Sequence, residues 1–412
     1  MSNQNENAQN QIKKAFDLIS WYDQSYLEHI LYPDRVIQVN IPIKMDSWKI
    51  KNFIWYRSQH NNARWPYKWW IRFHETVAYD EVVALSIWMS IKTALVWIPL
   101  WGWKWWVVVN SKELSDTELE NLSRWYVRKL FRYLWPNFDV PAPDVWTWPK
   151  VMAWMMDEYS KISLDSSNWS FTWKPLPVWG SFWRDTATSR WWFFVLQKYI
   201  QEQWWSLAGK KVSIQWAWNA WMNIMSYLDE SWAKLVAISD SKWWVYSDQW
   251  LDVSTIKCIK ENWDSVIDYD AKNISNNDLL ELDVDILILA AMENQVTVDN
   301  ADNIKANLLL ELANGPVNPQ ADDILYDKSI VVIPDVLANA GGVVVSYFEQ
   351  IQNNTNNYWT EEEIDNKLKT IMYDALSNVL EKSNKINWNF RTSWYVLAIE
   401  RILENMDFRW VV

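Results

Sequence analysis

Three lysines in one region of the sequence have settings in which an amine could do chemistry. Lys68 lies in NNARWPYKWWIRF, Lys92 in the mostly apolar MSIKTALV, and Lys104 in PLWGWKWWVVV, which we expect to be a loop before a buried strand. A single lysine is usually a solvated surface charge. Ammonium groups that are close together and partly desolvated, however, lower one another's pKa, as a base near neutral pH requires. Together they also suit a substrate with two carboxylates.

Asp144, in PAPD, is the candidate acid beside these lysines. An aspartate in such a position is ordinarily a turn residue. Chemistry on an amine needs a carboxylate that can pass a proton near a lysine. The four residues together therefore predict a site for proton transfer on an amine.

Tryptophan stands at many positions where a turn needs glycine. The chain has 37 tryptophans and 6 glycines among 412 residues, whereas glycine usually makes up about 7% of a protein. The tryptophans cluster in PYKWWIRF, PLWGWKWWVVV and SIQWAWNAWMN, and an indole has no physical reason to prefer turns. Our hypothesis is a codon effect: in some bacteria UGA specifies glycine, and reading UGA as tryptophan produces this pattern.

The segment KVSIQWAWNAWMNIMSYLDESWAKLVAISDS has the order of a dinucleotide site: strand, tight turn, helix, strand and acidic residue. With glycine at Trp216, Trp218 and Trp221, the turn reads GxGNxG, where N is Asn219. Glycine there lets the backbone approach a pyrophosphate at the helix N-terminus. Asp240 follows nineteen residues after Trp221, where a carboxylate can accept from the adenosine ribose hydroxyls. With tryptophan, the indoles would fill the space that the pyrophosphate needs.

Apolar periodicity predicts the elements that must position these residues. The proline-rich DVPAPDVWTWP is expected to be irregular. Beyond residue 182, apolar runs such as KVSIQ and DVDILILA alternate with helical segments, which predicts a parallel, doubly wound sheet. The other predicted elements are a helical period over 11–31, strands in VIQVNIPIKM and IKNFIWYR, and helices over 80–96, 115–134, from Val151 and over 360–407.

The length and composition of the chain fit an α/β protein with two domains, because 412 residues with 50% apolar composition can bury two cores. We expect residues 1–181, completed by helices from about 360–412, to form a substrate-binding and oligomerisation domain. Residues 182–359 are expected to form a Rossmann-like dinucleotide-binding domain. The apolar stretches are too short to span a membrane, and the net charge of −12 provides no surface for nucleic acid. A single cysteine, Cys258, and a start without signal-peptide features favour the cytoplasm.

Long runs of the sequence resemble glutamate dehydrogenases, which belong to the NAD(P)-linked Glu/Leu/Phe/Val dehydrogenase family. The runs are YRSQHNNARWPYKWWIRFH, IKTALVWIPLWGWKWWVVV, DVPAPDVWTWPKVMAWMMDEYS, AAMENQVTVDNADNIKANLLLELANGP and IPDVLANAGGVVVSYFE. The resemblance implies reversible oxidative deamination of L-glutamate to 2-oxoglutarate and ammonium, with hydride transfer to NAD or NADP. It also implies a homo-oligomer, commonly a hexamer, and no metal.

The resemblance implies a role for each matching residue. Lys104 resembles the lysine that activates water against the imine, and Asp144 resembles the acid/base that serves the amino nitrogen. Lys92 matches the lysine that holds the α-carboxylate, while Lys68 and Ser346 match the pair that holds the side-chain carboxylate. The positions that match the nicotinamide side of the cofactor site are Arg184, Thr188 and Asn339.

The departures from the family pattern are nearly all tryptophan in place of glycine, with Ser189 a further change beside the nicotinamide segment. Trp154 and Trp359, by contrast, stand where the family itself has tryptophan. The departing positions are Trp65, Trp69, Trp70, Trp97, Trp101, Trp103, Trp105, Trp106, Trp146, Trp179, Trp183, Trp191, Trp192, Trp216, Trp218, Trp221, Trp243 and Trp244.

Several alternatives stay open. A dehydrogenase for another amino acid is opposed by Lys68 and Ser346, because related enzymes for leucine and phenylalanine have an apolar pocket there. A non-catalytic relative requires that the tryptophans be genuine, and a decayed gene would have lost lysines and aspartates as readily as glycines. For the cofactor, Asp240 favours NAD, but Ser241 and Lys242 could accept the 2′-phosphate of NADP.

Overall fold

The computed structural model describes residues 4–64, 66–75, 78–135, 137–144, 146–164, 168–182, 187–216, 222–262 and 264–409. The chain divides into two compact units. Unit 1 consists of Met1–Arg184, Val343–Lys367 and Tyr395–Val412, and unit 2 consists of Asp185–Gly342 and Leu368–Trp394.

Unit 1 contains a mixed sheet with the strand order β1-β2-β4-β3-β5. Strand β2 pairs antiparallel with β1 and β4, whereas β3 pairs parallel with β4 and β5. The strands are β1 (Arg35–Lys44), β2 (Ile50–Gln59), β3 (Tyr67–His74), β4 (Trp101–Val108) and β5 (Asp139–Pro143). The helices that precede unit 2 in the chain are α1 (Gln4–Phe16), α2 (Ser25–Leu31), α3 (Tyr79–Leu95), α4 (Asp116–Leu130) and α5 (Pro149–Ser163).

Local sequence explains several of these helix boundaries. Helix α4 begins at a capping box, in which the Ser115 hydroxyl accepts from the Glu118 backbone and the Glu118 carboxylate accepts from Ser115. Helix α5 begins with Pro149, whose missing N–H costs nothing at the first helical position. The predicted helical period over 11–31 corresponds to the end of α1 and to α2, with a break between them.

Two segments near the predicted chemistry are strands although loops were predicted. Asp139–Pro143 forms β5 despite its prolines, because β5 is an edge strand and a missing N–H on its open side leaves no bond unmade. Residues 101–106, expected as a loop around Lys104, belong to β4. Pairing with β2 on one side and β3 on the other makes this segment a central strand.

Unit 2 contains a sheet with the strand order β12-β11-β10-β6-β7-β8-β9. Pairing is parallel from β12 to β7, which confirms the predicted doubly wound sheet, while β8 and β9 continue it antiparallel. Strands such as β10 (ILIL) and β11 (LLLE) are buried at every position, as strands covered on both faces require. The strands are β6 (Lys211–Gln215), β7 (Lys234–Ser239), β8 (Trp244–Tyr246), β9 (Lys272–Asn273), β10 (Ile286–Leu289), β11 (Leu308–Glu311) and β12 (Val331–Ile333).

Helices alternate with these strands, and three long helices end the chain. Those that precede the last three are α6 (Ala187–Glu202), α7 (Met222–Glu230), α8 (Val253–Glu261), α9 (Asn276–Leu280), α10 (Pro319–Asp327) and α11 (Asp335–Ala338). The last are α12 (Gly341–Thr355), α13 (Glu361–Ile386) and α14 (Phe390–Arg409). In the part of the chain that is described, no helix combines the length and apolar character needed to cross a membrane.

Candidate active site

Lys68 and Ser346 meet at one hydroxyl group in unit 1. The Lys68 Nζ lies 2.5 Å from Thr172 Oγ1, which lies 2.6 Å from Ser346 Oγ. All three side chains are fully buried. The structure therefore brings together the two residues predicted to hold a side-chain carboxylate, and it adds Thr172 between them.

Among the described residues, the hydrogen-bond partners of the Lys68 ammonium are neutral. Besides Thr172, its Nζ donates to the carbonyl oxygens of Val140 at 3.2 Å and Pro141 at 3.4 Å. Burial lowers the pKa of Lys68 well below its ordinary value, while the nearby charge of Glu349 opposes that shift and Lys174 adds to it. Taking an ammonium out of water without an anion beside it is costly. An incoming carboxylate would offset that cost.

Asp144 follows β5 and forms an ion pair with a residue of β3. Its Oδ2 lies 3.2 Å from Arg72 Nε, with about a fifth of each side chain exposed. The Asp144 backbone N–H donates to Ile71 O at 2.9 Å and to Thr147 Oγ1 at 2.6 Å, which fixes the turn that begins at this residue. Arg72 thus holds the carboxylate of the predicted proton-transfer residue.

The lysine strands are in parallel register beside this turn. Position 68 of β3 pairs with Gly102 of β4, and position 70 of β3 pairs with Lys104. On the other side of β3, position 70 pairs with Ala142, two residues before Asp144. The backbone thus brings positions 68, 104 and 144 to neighbouring strands of one sheet, while the Lys104 side chain lies outside what the structure describes.

Lys92 belongs to helix α3, which packs closely on β4. A Cβ at Gly102 would lie 1.9 Å from Ser90 N and 2.4 Å from Met89 C, so only glycine fits there. Lys92 is half-buried in the last turn of α3, two residues beyond Ser90. The close contact between the α3 and β4 backbones therefore determines the position of the Lys92 backbone.

The predicted cofactor turn lies at a topological switch point of unit 2. Strand β6 lies between β7 and β10, and in open α/β sheets ligands bind at the carboxyl ends of such strands. Trp216 follows β6, has φ 79°, and its N–H donates to Ser239 Oγ at 2.8 Å. That backbone region favours glycine, which agrees with the GxGNxG interpretation. Trp218, Asn219 and Trp221 lie outside the described residues.

Asp240 follows β7, and both oxygens of its carboxylate already accept hydrogen bonds. Oδ1 accepts from the backbone of Lys242 and Trp243, and Oδ2 accepts from Ser265 Oγ, Val266 N and Lys260 Nζ. Burial by itself would raise its pKa, but the backbone and hydroxyl donors lower the pKa of Asp240 to about 2. Asp240 is therefore a carboxylate that fixes the chain beyond β7, and its role toward a ribose remains a prediction.

The nicotinamide-side residues are only partly described. Asn339 directly follows α11, and its Nδ2 donates to Oδ1 of Asn314, a residue just beyond β11, at 3.0 Å. Arg184 and the side chain of Thr188 lie outside the described residues, although the backbone of Thr188 belongs to α6.

Tryptophan accounts for most of the left-handed backbone outside glycine. Among the described residues, eight of the thirteen non-glycine residues with positive φ are tryptophan. Trp97, Trp204 and Trp232 follow α3, α6 and α7, where paired backbone bonds form the Schellman motif that usually ends in glycine. Four were already counted as departures from the family pattern. The eight are Trp48, Trp97, Trp146, Trp173, Trp179, Trp204, Trp216 and Trp232.

Sequence reasoning missed Thr172, Arg72 and Asn314. Thr172 lies in the run FTWKP and Asn314 in the run LANGP. The proline in each run, with the tryptophan of the first and the glycine of the second, indicates a loop but does not indicate which side chains these residues contact. Arg72 sits in a strand, and alternation along β3 puts it on the same face as Lys68. That spacing was the one available signal.

Comparison with known proteins assigns most of the chain to one family. Residues 33–161 match the dimerisation domain of the Glu/Leu/Phe/Val dehydrogenases, and residues 180–409 match the Glutamate/Leucine/Phenylalanine/Valine dehydrogenase domain. A two-domain α/β dehydrogenase is the class that the fold and these matches define. The chain belongs to the Glu/Leu/Phe/Val dehydrogenase family, which confirms the resemblance inferred from the sequence.

Similar proteins span nearly the whole chain. The NAD-specific glutamate dehydrogenase of Staphylococcus aureus (strain COL) is 39% identical over 398 residues, which cover 97% of this chain and 96% of that protein. The cryptic catabolic NAD-specific glutamate dehydrogenase of Bacillus subtilis (strain 168) is 39% identical over 410 residues, 98% and 96% of the two chains. The solved glutamate dehydrogenase from Peptoniphilus asaccharolyticus superposes with a TM-score of 0.89 at 33% identity, covering 99% of each chain. The hetero-hexameric enzyme from Thermus thermophilus gives 0.90 at 26% identity, covering 100% of this chain and 98% of that one.

Proposed function

We propose that this chain is an NAD(P)-dependent glutamate dehydrogenase, which deaminates L-glutamate oxidatively and reversibly to 2-oxoglutarate and ammonium. The observation that carries the proposal is the buried Lys68 ammonium, whose hydrogen-bond acceptors are Thr172 Oγ1 and two carbonyl oxygens. No described residue places an anion within hydrogen-bond distance of this group, and the side-chain carboxylate of glutamate would supply one. Leucine, valine and phenylalanine cannot, so Lys68 selects for a dicarboxylate.

Each predicted residue then has one task at the substrate. Lys68 and Ser346 bind the side-chain carboxylate, and Lys92 binds the α-carboxylate. Asp144, oriented by Arg72, moves a proton to and from the amino nitrogen, and Lys104 takes a proton from the water that attacks the substrate imine. Bound NAD(P) supplies the hydride acceptor.

The glycine-like backbone at Trp216 and the position of β6 fit a dinucleotide in unit 2. We propose Arg184, Thr188 and Asn339 for its nicotinamide side, and the Trp216–Trp221 turn, with Asn219, for its pyrophosphate. NAD is the preferred cofactor in this proposal, since the relatives are named NAD-specific and the Asp240 carboxylate opposes a 2′-phosphate. Comparing kcat/KM for NAD and NADP tests this, and a preference for NADP would shift the assignment to Ser241 and Lys242.

The assay is glutamate-dependent reduction of NAD, with leucine, valine and norvaline as competing substrates. It compares the tryptophan-bearing chain, which has the sequence described above, with a glycine-bearing chain. The glycine-bearing chain has glycine at the eighteen tryptophans named as departures and at Trp48, Trp173, Trp204 and Trp232. We expect the glycine-bearing chain to prefer glutamate and the tryptophan-bearing chain to be inactive. A glycine-bearing chain that binds no dinucleotide supports the non-catalytic alternative.

The variant Lys68→Met tests the carboxylate pocket directly. Removing the ammonium should lower kcat/KM for glutamate at least about 100-fold, because the substrate carboxylate would then be buried unpaired. Activity with norvaline, which has no side-chain carboxylate, should fall much less. Lys161→Met is the matched control, because Lys161 is an exposed lysine that pairs with Asp157 on α5. A parallel loss with both substrates would contradict the proposed role of Lys68.

A homo-hexamer in the cytoplasm completes the proposal. The Thermus thermophilus relative is described as hetero-hexameric, and the single cysteine, Cys258, is exposed and cannot form an intrachain disulfide. Light scattering of the purified glycine-bearing chain measures the assembly, and a monomer would refute the hexamer.

A further inference from the structure

We propose that Lys174 and Glu349 are positioning residues of the side-chain carboxylate pocket. Their ion pair clamps the segment 171–174 onto helix α12, so that Thr172 and Ser346 hold the Lys68 ammonium ready for a dicarboxylate. The inference rests on the proposed function and deepens it, since it names residues that set the preference for glutamate without touching it.

The clamp consists of four hydrogen bonds in a buried place. The Lys174 Nζ donates to Glu349 Oε1 at 2.8 Å and to Phe171 O at 2.6 Å. The Glu349 carboxylate also accepts from the backbone N–H groups of Trp173 at 2.6 Å and Lys174 at 3.3 Å. The two side chains are 0% and 4% exposed. The carboxylate therefore binds both the side chain and the backbone of one short segment.

Thr172 lies inside this clamped segment. Its hydroxyl bridges Lys68 and Ser346, and its own N–H donates to Pro141 O at 2.9 Å. Ser346 and Glu349 are three residues apart on α12 and thus share one face of the helix. A change in the clamp therefore moves the two hydroxyl groups of the pocket together.

The backbone next to Thr172 needs such support. Trp173 has φ 65°, a conformation that costs a residue other than glycine roughly 1–2 kcal/mol. Its N–H donates to Glu349 at 2.6 Å, which holds the segment in that conformation. With glycine at this position the strain disappears but the freedom of the segment increases, so the bond to Glu349 remains the feature that orders it.

The opposite charges of the pair explain why Glu349 does not neutralise Lys68 itself. A lone buried carboxylate beside Lys68 would pair with it and compete with the substrate. Lys174 holds that carboxylate at 2.8 Å instead. Glu349 remains close enough for its charge to favour the protonated form of Lys68, against the effect of burial. Lys174 thus keeps Glu349 bonded elsewhere, while the charge of Glu349 still favours the protonated form of Lys68.

The test measures the ratio of kcat/KM for glutamate to kcat/KM for norvaline in the full-length, glycine-bearing chain. Glu349→Gln keeps an oxygen for the Trp173 N–H but removes the negative charge that faces Lys174, and it should lower the ratio at least about ten-fold. The double variant Lys174→Met with Glu349→Gln also removes the buried ammonium group, so its stability should recover while its ratio stays low. This separation of stability from selectivity distinguishes positioning from a merely structural role.

Glu158→Gln is the matched control. Glu158 is also a buried carboxylate of unit 1, and it pairs with Arg124 and Arg128 rather than with the pocket. The Glu158→Gln variant should lose stability but keep the glutamate-to-norvaline ratio of the unsubstituted chain. If the double variant folds and keeps the unsubstituted ratio, the positioning role is overturned. If the unsubstituted chain uses leucine or valine but not glutamate, the proposed function fails first, and this inference fails with it.

Discussion

Replacing Trp204 and Trp232 with glycine should stabilise unit 2, although each change deletes a large side chain. The two residues follow α6 and α7 with φ 57° and 61°. Their indoles are 95% and 79% exposed, so little packing is lost. The backbone bonds that end each helix, such as Trp204 N to Gln201 O at 3.1 Å and Trp232 N to Asp229 O at 2.8 Å, remain available to glycine.

The magnitude follows from comparison with alanine at the same two sites. Alanine also removes the indole, but its Cβ keeps the left-handed strain of about 1–2 kcal/mol per residue. Glycine relieves that strain and gives back roughly 0.5–1 kcal/mol per site through its greater freedom in the unfolded chain. The double glycine variant should therefore exceed the double alanine variant by about 1–2 kcal/mol in free energy of unfolding.

Urea unfolding measures this difference. Far-ultraviolet circular dichroism is the readout, because the substitutions themselves alter tryptophan fluorescence. A shift in midpoint with an unchanged slope indicates a change in stability alone. Trp21 provides a control at which the stability difference between glycine and alanine should have the opposite sign, since it is 63% exposed and is not among the residues with positive φ. There glycine should be less stable than alanine. If glycine is also less stable at positions 204 and 232, the backbone argument for glycine is refuted.

The remaining predictions concern the two sites. Asp240→Asn should lower the free energy of unfolding on the order of 2 kcal/mol at pH 7. Because folding depresses the pKa of this carboxyl from 3.8 to about 2, the difference should vanish as acid titration passes from about pH 4 toward 2, and a difference that persists below that range would contradict the assignment. Asp144→Asn should reduce kcat at least about 100-fold, and Arg72→Met should reduce kcat less while leaving KM for glutamate nearly unchanged; a change confined to KM would exclude proton transfer as the role of Asp144. The mass of the peptide Val212–Lys234, from protein purified from the source cells, should correspond to glycine at its four tryptophan positions, and a mass that fits tryptophan would refute the codon hypothesis.

The amino-acid sequence determined the fold class and the order of its elements. Runs such as DVDILILA and NLLLELA have apolar residues at consecutive positions because parallel strands are buried on both faces. Their alternation with helical periods is a local property, so it could be read without knowing which strands pair. The same holds for the motifs around Lys68, Lys92, Lys104 and Asp144, which are contiguous in the sequence.

Local sequence patterns gave wrong predictions for segments whose conformation depends on the strands that pair with them. The prolines of β5 predicted irregular structure, and only its place at the edge of the sheet makes a strand compatible with them. Residues 101–106 form a strand because β2 and β3 pair with them from both sides. No sequence window of ten or so residues contains that information.

Only the tertiary structure decided how the pocket is built. Thr172 is separated by 104 residues from Lys68 and by 174 from Ser346, yet its hydroxyl lies within hydrogen-bond distance of both. Lys174 and Glu349 are 175 residues apart and form a buried pair. The sequence could mark Lys68 and Ser346 as candidates from their motifs. The partners that orient them are selected by the packing of α12 against the segment 171–174, because hydrogen bonds and ion pairs depend on distance in space and not on separation along the chain.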